Sequence, residues 1–380
     1  MRKLNAYLQI HIMTIKKAFL ILLLFVPLAF VGCGEENHEG NSDSTKPKAR
    51  GEIGEIILVI DSLKYQGPVG DALRDIFEED IRGLERQEKI FNLRRVDPRA
   101  MNRVLKNATN IIYVTTFDDK NHGSQVINAQ FNQESKEKVR NDPSLFMLRN
   151  ENEFAIGQVV LYLFGANEEQ LIKNLKDNKD KLQNMYEVRE RERLANGILN
   201  RKNGAIHSKG KEKFGIGINV PASYQFVMED DNFMWLRQPT PTPRRPDISL
   251  FFYETDYVSE EQVFPDNIIK LRDDITRTRI FGDPDNRNSY IETQQASVPS
   301  FRNITVQGRY AIELRSQWRT HNISMGGSFI SYTIVDEKRG KLYYIEGFVY
   351  YPNESHRASL REIETILLAT EFPTSSEGEK

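Results

Sequence analysis

Glu55-Ile56-Ile57-Leu58-Val59-Ile60-Asp61 is a continuous apolar run of strand length closed by an acid. Hydrophobic at successive positions, with no polar alternation, such a run predicts a buried strand. Gly67-Pro68-Val69-Gly70 then marks a turn. A helix follows, with Val69, Leu73, Ile76 and Phe77 on one face and Arg74, Asp75, Glu78 and Glu79 on the other. Residues 89–96 are a strand candidate, Asp97-Pro98 has the cap-then-proline form of a helix start, and residues 110–117 (NIIYVTTF) are a second buried strand. The order strand, helix, strand, helix, strand is that of an α/β unit. The glycine turn carries neither G-x-G-x-x-G nor the Gly-Lys-Ser/Thr of a phosphate loop, so it reads as turn geometry, and no cofactor is implied.

Farther along, residues 158–164 (QVVLYLF) predict another buried strand, and Asn167 with Gln170 opens a helical stretch to about Leu199. Its stripe of Leu171, Leu175, Leu182 and Tyr186 is expected to pack on its own sheet. Residues 201–213, ending in NGAIHSKGKEK, read as an exposed linker. Beyond it, strands are expected at 214–220, 224–228, 233–237 and 248–253, with the proline-rich connector 239–246 between the last two. A helix at 266–278, strands at 309–315, 328–335 and 342–350, and a helix at 357–369 striped by Leu360, Ile363 and Leu367 complete the pattern. The fold class is α+β, with mixed, largely antiparallel sheets covered by helices. Two similar halves are compatible with this pattern, an N-terminal α/β half at 51–200 and a C-terminal α+β half at 214–373, with a disordered tail at 374–380.

Ahead of the folded part, Lys16 and Lys17 precede an apolar run from Ala18 through Gly32, and Cys33, the single cysteine, ends it. A basic pair, a short apolar core and a small residue before the cut describe a secretory signal over 1–32. A cysteine immediately after the cut is where a bacterial lipoprotein receives its lipid, so Cys33 is the expected lipid-attachment residue. The competing reading, a transmembrane helix, is disfavoured because a span needs about 20 apolar residues and this run is shorter and contains Pro27. Phe30 stands where leucine is usual in such signals, while Val31 and Gly32 fit, and Met13 resembles a natural start more closely than Met1. Residues 33–50 form a polar tether with a reach of roughly 20 to 25 Å. Glu35 and Glu36 resemble the acidic signals that send Bacteroidota lipoproteins to the outer face of the outer membrane; the alternative is an ordinary solvated tether. Asp43-Ser44-Thr45 and Asp61-Ser62-Leu63 match a short O-glycosylation pattern of the same bacteria. The expected location is the outer membrane, lipid-anchored, on its periplasmic face or at the cell surface.

Composition bounds the rest. The 380 residues are 39% hydrophobic and 28% charged, enough to bury a core, and the formal net charge of −2 offers no field for nucleic acid. With Cys33 lipidated, no thiol is left for a disulfide, a zinc cluster or a nucleophile. Of six histidines, none stands at i, i+4 with another and none lies in H-E-x-x-H, so no metal site is expected. Ser208-Lys209-Gly210-Lys211 satisfies S-x-x-K without its companion motifs, and Asp283-Pro284-Asp285-Asn286-Arg287-Asn288 begins like a calcium loop but carries Arg287 at a ligand position.

The closing region carries a resemblance. Trp318-Arg319, Met325-Gly326-Gly327-Ser328-Phe329, Glu346-Gly347-Phe348-Val349-Tyr350, Pro352, Arg361 and Glu364, together with Gly67 to Leu73, Asn110-Ile111-Ile112 and Phe233-Met234-Trp235-Leu236-Arg237 upstream, resemble an uncharacterised Bacteroidota lipoprotein family, the domain of unknown function DUF4837, over nearly the whole mature chain. One departure is visible: a proline usually follows the paired glycines, and Ser328 stands here. The resemblance implies an outer-membrane-type lipoprotein and supplies no reaction. Among these residues, Gly326 and Gly327 would let backbone approach a ligand, while Trp318, Arg315, Arg319 and Glu346 would give a stacking face, an anion clamp and a carboxylate. The alternative is structural, with a tight glycine bend, Trp318 in the core and Arg319 paired to a carboxylate. The functional expectation is a lipid-anchored, non-catalytic binding or assembly factor with an envelope protein or glycan as its partner. The alternative is a hydrolase acting on cell-wall or glycan material.

Overall fold

A computed structural model describes residues 46–373 apart from Glu85, Pro239, Pro241 and Pro243. Cys33, the signal, Glu35 and Glu36 of the tether and the 374–380 tail lie outside the described residues.

Burial explains the unbroken apolar run. The first half is ordered as β1 (Glu55–Ile60), α1 (Ser62–Gln66), α2 (Pro68–Phe77), β2 (Asn92–Val96), β3 (Asn110–Thr116), α3 (His122–Asn128), α4 (Gln133–Asn141), β4 (Met147–Glu151), β5 (Val159–Gly165), α5 (Glu168–Asp177) and α6 (Lys179–Ile198). Its sheet runs β2-β1-β3-β5-β4, parallel in three pairings and antiparallel only between β4 and β5. One face packs Leu58, Leu163 and Ile112 against Leu73 of α2, Leu175 of α5 and Tyr186 of α6. The other packs Val59, Tyr113 and Val160 against Ile127 of α3 and Val139 of α4. Apolar residues are therefore needed on both faces of the central strands.

The Gly67–Gly70 segment is tighter than a plain turn. Asp61 Oδ1 accepts from Leu63 N to start α1, and Gly67 leads directly into α2 at Pro68. A Cβ on Gly70 would stand 1.8 Å from the Tyr65 carbonyl, so the two short helices touch backbone to backbone there.

Two boundaries are corrected. The tether does not extend to residue 50, because Ala49 N donates to Ile156 O, Ile156 N to Pro47 O and Arg50 N to Asn107 O, each at 2.8 Å. Residues 201–213 are not an exposed linker, because Gly204–Phe214 is a helix, α7. Asn203 caps it by accepting from Ile206 N, and Gly215 ends it at φ +69°. Ile206, Gly210 and Phe214 recur at intervals of four and all are buried, but two large apolar residues among lysines are a faint stripe. The expected strand at 214–220 is an extended segment joined to the chain end at Gly217 and Glu371.

The second half continues with β6 (Gln225–Asp230), β7 (Phe233–Gln238), β8 (Asp247–Asp256), α8 (Pro265–Arg279), β9 (Ile291–Thr293), β10 (Ser300–Val306), β11 (Arg309–Thr320), β12 (Gly326–Asp336), β13 (Lys341–Tyr350) and α9 (Arg357–Leu368). The sheet runs β10-β11-β12-β13-β8-β7-β6, with β9 added to β11, and every pairing is antiparallel. Leu360, Ile363 and Leu367 of α9, with Ile206 and Phe214 of α7, cover one face through Tyr332 and Ile345. Ile268 and Ile275 of α8 cover the other through Phe251, Leu314 and Tyr344. The chain is α+β, in two sheet-and-helix halves that differ in strand direction. Among the described residues, no helix is long and apolar enough to cross a membrane.

Charge joins the halves. Arg191 of α6 donates to Glu364 of α9 at 3.0 Å, and Glu364 also accepts from Arg315 of β11 at 3.2 Å. Arg315 in turn holds Glu313 at 2.9 Å, which Arg302 and the Tyr332 hydroxyl also reach. Arg361 of α9 donates to Ile90 O at 2.9 Å and lies over the Phe91 ring. Glu88, in the loop before β2, accepts from the backbone N–H groups of His356 and Arg357 at 2.9 and 2.8 Å and from Ser355 Oγ. It supplies the N-terminal cap that no residue of α9's own start provides.

Candidate functional site

The six residues singled out at the C-terminal end of the sequence separate in space, because strand alternation sends neighbours to opposite faces. Glu346 faces α8. It is fully buried and receives both Nε and Nη2 of Arg272 at 2.9 Å and the Tyr344 hydroxyl at 2.6 Å. Arg315 faces the first half and is consumed by Glu313 and Glu364. Trp318 is 3% exposed; its Nε1–H donates to Val349 O at 3.2 Å and its ring meets Phe348 edge-on, so it offers no stacking face. Gly326 and Gly327 open β12, and a Cβ on Gly327 would fall 2.0 Å from Val349 O. Arg319 is half exposed and pairs with Glu292 at 2.8 Å. The anion clamp and carboxylate expected of Arg315 and Glu346 do not form. Those two side chains are internal ion pairs.

Trp318, Arg319, Gly326 and Gly327 do share a cleft of about 680 Å³. Leu84, Arg86 and Glu88 of the first half form one wall, the β11–β12 turn with Asn322 and Ser324 another, and the 351–356 segment the third. Gln317 and Ser328 also line it; they are direct cross-strand partners, 7% and 4% exposed, and so share one sheet face. Ser328 Oγ lies 2.9 Å from His356 Nδ1, while His356 Nε2 lies 3.0 Å from Tyr351 O. A carbonyl only accepts, so Nε2 carries the ring proton and, in the neutral ring, Nδ1 accepts from the serine hydroxyl. Gln317, Ser328 and His356 were not singled out from sequence. Ser328 and His356 are 28 residues apart, and only the strand register unites Ser328 with Gln317; the one hint was Ser328 standing where a proline is usual.

Two other places are closed. In the first sheet, strand order reverses between β1 and β3, where a parallel sheet commonly opens a ligand crevice at its C-terminal ends. Here Lys64 fills it, with Nζ at 3.1 Å from Thr116 Oγ1, 3.1 Å from Asp119 and 2.6 Å from Glu168. In the loop that begins like a calcium site, Asp283 Oδ1 and Asn286 Oδ1 turn onto the backbone N–H groups of Asp285 and Asn288. Among the described residues no group of three His, Cys, Asp or Glu is placed to hold a metal.

Glu187 of α6 sits beside the ionic chain that joins the halves. Burial pushes its carboxyl above the ordinary value of 4.5, the nearby Glu364 adds to the rise, and Arg315 and Arg191 offset it only in part. A native carboxyl that holds its proton more tightly than the unfolded one favours folding at acid pH and loses that contribution as pH climbs past about 4.5. Glu187→Gln should therefore match wild type in thermal unfolding near pH 4 and exceed it at pH 7. A variant less stable than wild type at pH 7 would show that the arginines outweigh burial.

Residues 203–369 match DUF4837, a domain of unknown function, and residues 49–198 match DUF8532, another domain of unknown function, so the resemblance to DUF4837 is confined to the second half and does not extend to Gly67–Leu73 or Asn110–Ile112. None of the curated proteins matches the sequence. Among solved structures, the Ran-binding protein Mog1p of Saccharomyces cerevisiae is similar at 10% identity and a TM-score of 0.28, covering 42% of this chain and 92% of that one. A point mutant of Mog1 gives 11% and 0.27 over 43% and 93%. A Bacteroides thetaiotaomicron VPI-5482 protein gives 6% and 0.24 over 42% and 46%. These likenesses are too slight to carry an argument.

Proposed function

From a chain that carries a DUF4837 domain over residues 203–369 behind a DUF8532 segment, we propose a lipid-anchored protein of the cell envelope. Cys33 holds it at the outer membrane, and its folded part is a non-catalytic binding or assembly factor. The observation that carries the binding role is the cleft of about 680 Å³, walled by both halves and lined chiefly by amide, hydroxyl and charged side chains. The partner is an envelope protein or a glycan. Arg272, Glu313, Arg315 and Glu346 are committed to internal ion pairs and contribute no acid or base to the cleft. Support for export and lipidation comes from the basic pair, apolar run and lone cysteine at residues 16–33.

One observation favours a hydrolase instead, the 2.9 Å contact of Ser328 Oγ with His356 Nδ1. The far nitrogen of that ring meets a backbone carbonyl, however, and not the carboxylate that would stabilise an imidazolium. The test is affinity capture of the tagged mature protein from membranes, with a palmitate analogue in the medium. Wild type should carry label and retain a co-purifying envelope component; Cys33→Ser should lose the label, and Ser324→Trp, which fills the cleft from an exposed position, should keep label and lose the component. Capture indifferent to Ser324→Trp would remove the cleft from the proposal, and reaction of Ser328 with a fluorophosphonate would favour the hydrolase.

A further inference from the structure

The cleft floor holds a buried donor without a partner. Among the described residues, Gln317 Nε2 has no hydrogen-bond partner, although the residue is 7% exposed and lines the cleft. A buried amide left unpaired is costly, and native proteins rarely keep one without a use. Directly across the strand pair, Ser328 gives its hydroxyl proton to His356 Nδ1, which leaves the oxygen lone pairs as acceptors. The floor thus presents one donor and one acceptor side by side. Groups that answer both at once carry an acceptor and a donor on neighbouring carbons, as a vicinal diol does, or an acetamido N–H beside the hydroxyl of the next ring carbon.

Resting on the binding role assigned to this cleft, we infer that its ligand is a saccharide, seated with one such group on Gln317 and Ser328. Sugar hydroxyls donate and accept together, so they suit partners that do the same, and Gln294, Asn322, Ser324 and Asn353 around the cleft are of that kind. Net charge is not the attraction. Arg319 is paired with Glu292 and so is not free to clamp an anion, and Glu88 is occupied at the start of α9 and so is not free to hold a cation. A peptide would also offer C=O and N–H, but it would need apolar pockets for alternate side chains, and this lining is chiefly polar.

Isothermal titration of the mature protein with chitotriose and with maltotriose separates the sources of that chemistry, since the first carries acetamido groups and the second only hydroxyls. At least one should bind, and Gln317→Leu, close in size and without the amide, should weaken it about three- to tenfold, the range for one neutral hydrogen bond. The same variant should melt no lower than wild type, because it removes an unpaired buried donor and breaks no bond. Binding of neither sugar, or binding unchanged in Gln317→Leu, overturns the inference. If the membrane component is still lost in Ser324→Trp while both sugars fail to bind, the cleft stands as a binding site and its ligand is not a saccharide.

Discussion

Arg272→Met lowers the unfolding free energy by about 3–5 kcal/mol. The guanidinium is fully buried between α8 and the sheet, bidentate on Glu346, bonded to Thr293 Oγ1 at 3.1 Å and stacked 4.0 Å over the Phe329 ring. Methionine fills much of that volume but leaves Glu346 with the Tyr344 hydroxyl alone, an uncompensated carboxylate in a dry core. The double variant Arg272→Met with Glu346→Leu removes both charges and should recover most of the loss. Urea melts of wild type, single and double variants decide the matter. A single variant as stable as wild type, or a double variant worse than the single, would mean that the pair is not what holds α8 to the sheet.

Gly327→Ala should cost about 1–3 kcal/mol, the usual toll of an added methyl in a packed site. Its Cβ would fall 2.0 Å from Val349 O and 3.1 Å from Trp318 Nε1, so the carbonyl must move and the indole loses its acceptor. The loss should appear in thermal melts together with a change in tryptophan fluorescence, because Trp318 is one of two tryptophans. Wild-type melting and emission would show that the β12 start yields easily. The glycine is thus a packing requirement of the strand pair, which was the structural alternative open at the level of sequence.

Strand-forming runs such as 55–61, 110–117 and 158–164 could be read because burial on both faces leaves an unmistakable apolar signature. Elements with a single weak face were not. Helix α7 shows two large apolar residues among lysines and glycines, and β4 and β10 are edge strands with mostly exposed or half-exposed positions. The candidate site divides the same way. Sequence drew attention to the residues with conspicuous chemistry, Trp318, Arg315 and Glu346, and these are the ones that packing and ion pairing absorb. The cleft floor depends on the pairing of Gln317 with Ser328 and on the position of α9, and neither is written in residue spacing.

The cap that Glu88 places on α9 has a consequence for the gene. The two segments matched to separate domain families meet at residues 198–203, and a reading frame divided there would yield two polypeptides, one carrying the glutamate and the other the helix that needs it. The second product would begin its last helix with bare N–H groups and expose the Arg361 guanidinium that now rests on Ile90 and Phe91. Neither product would keep the ionic chain from Arg191 to Glu364. A second segment moved without the first would therefore need some other source of a carboxylate at that corner.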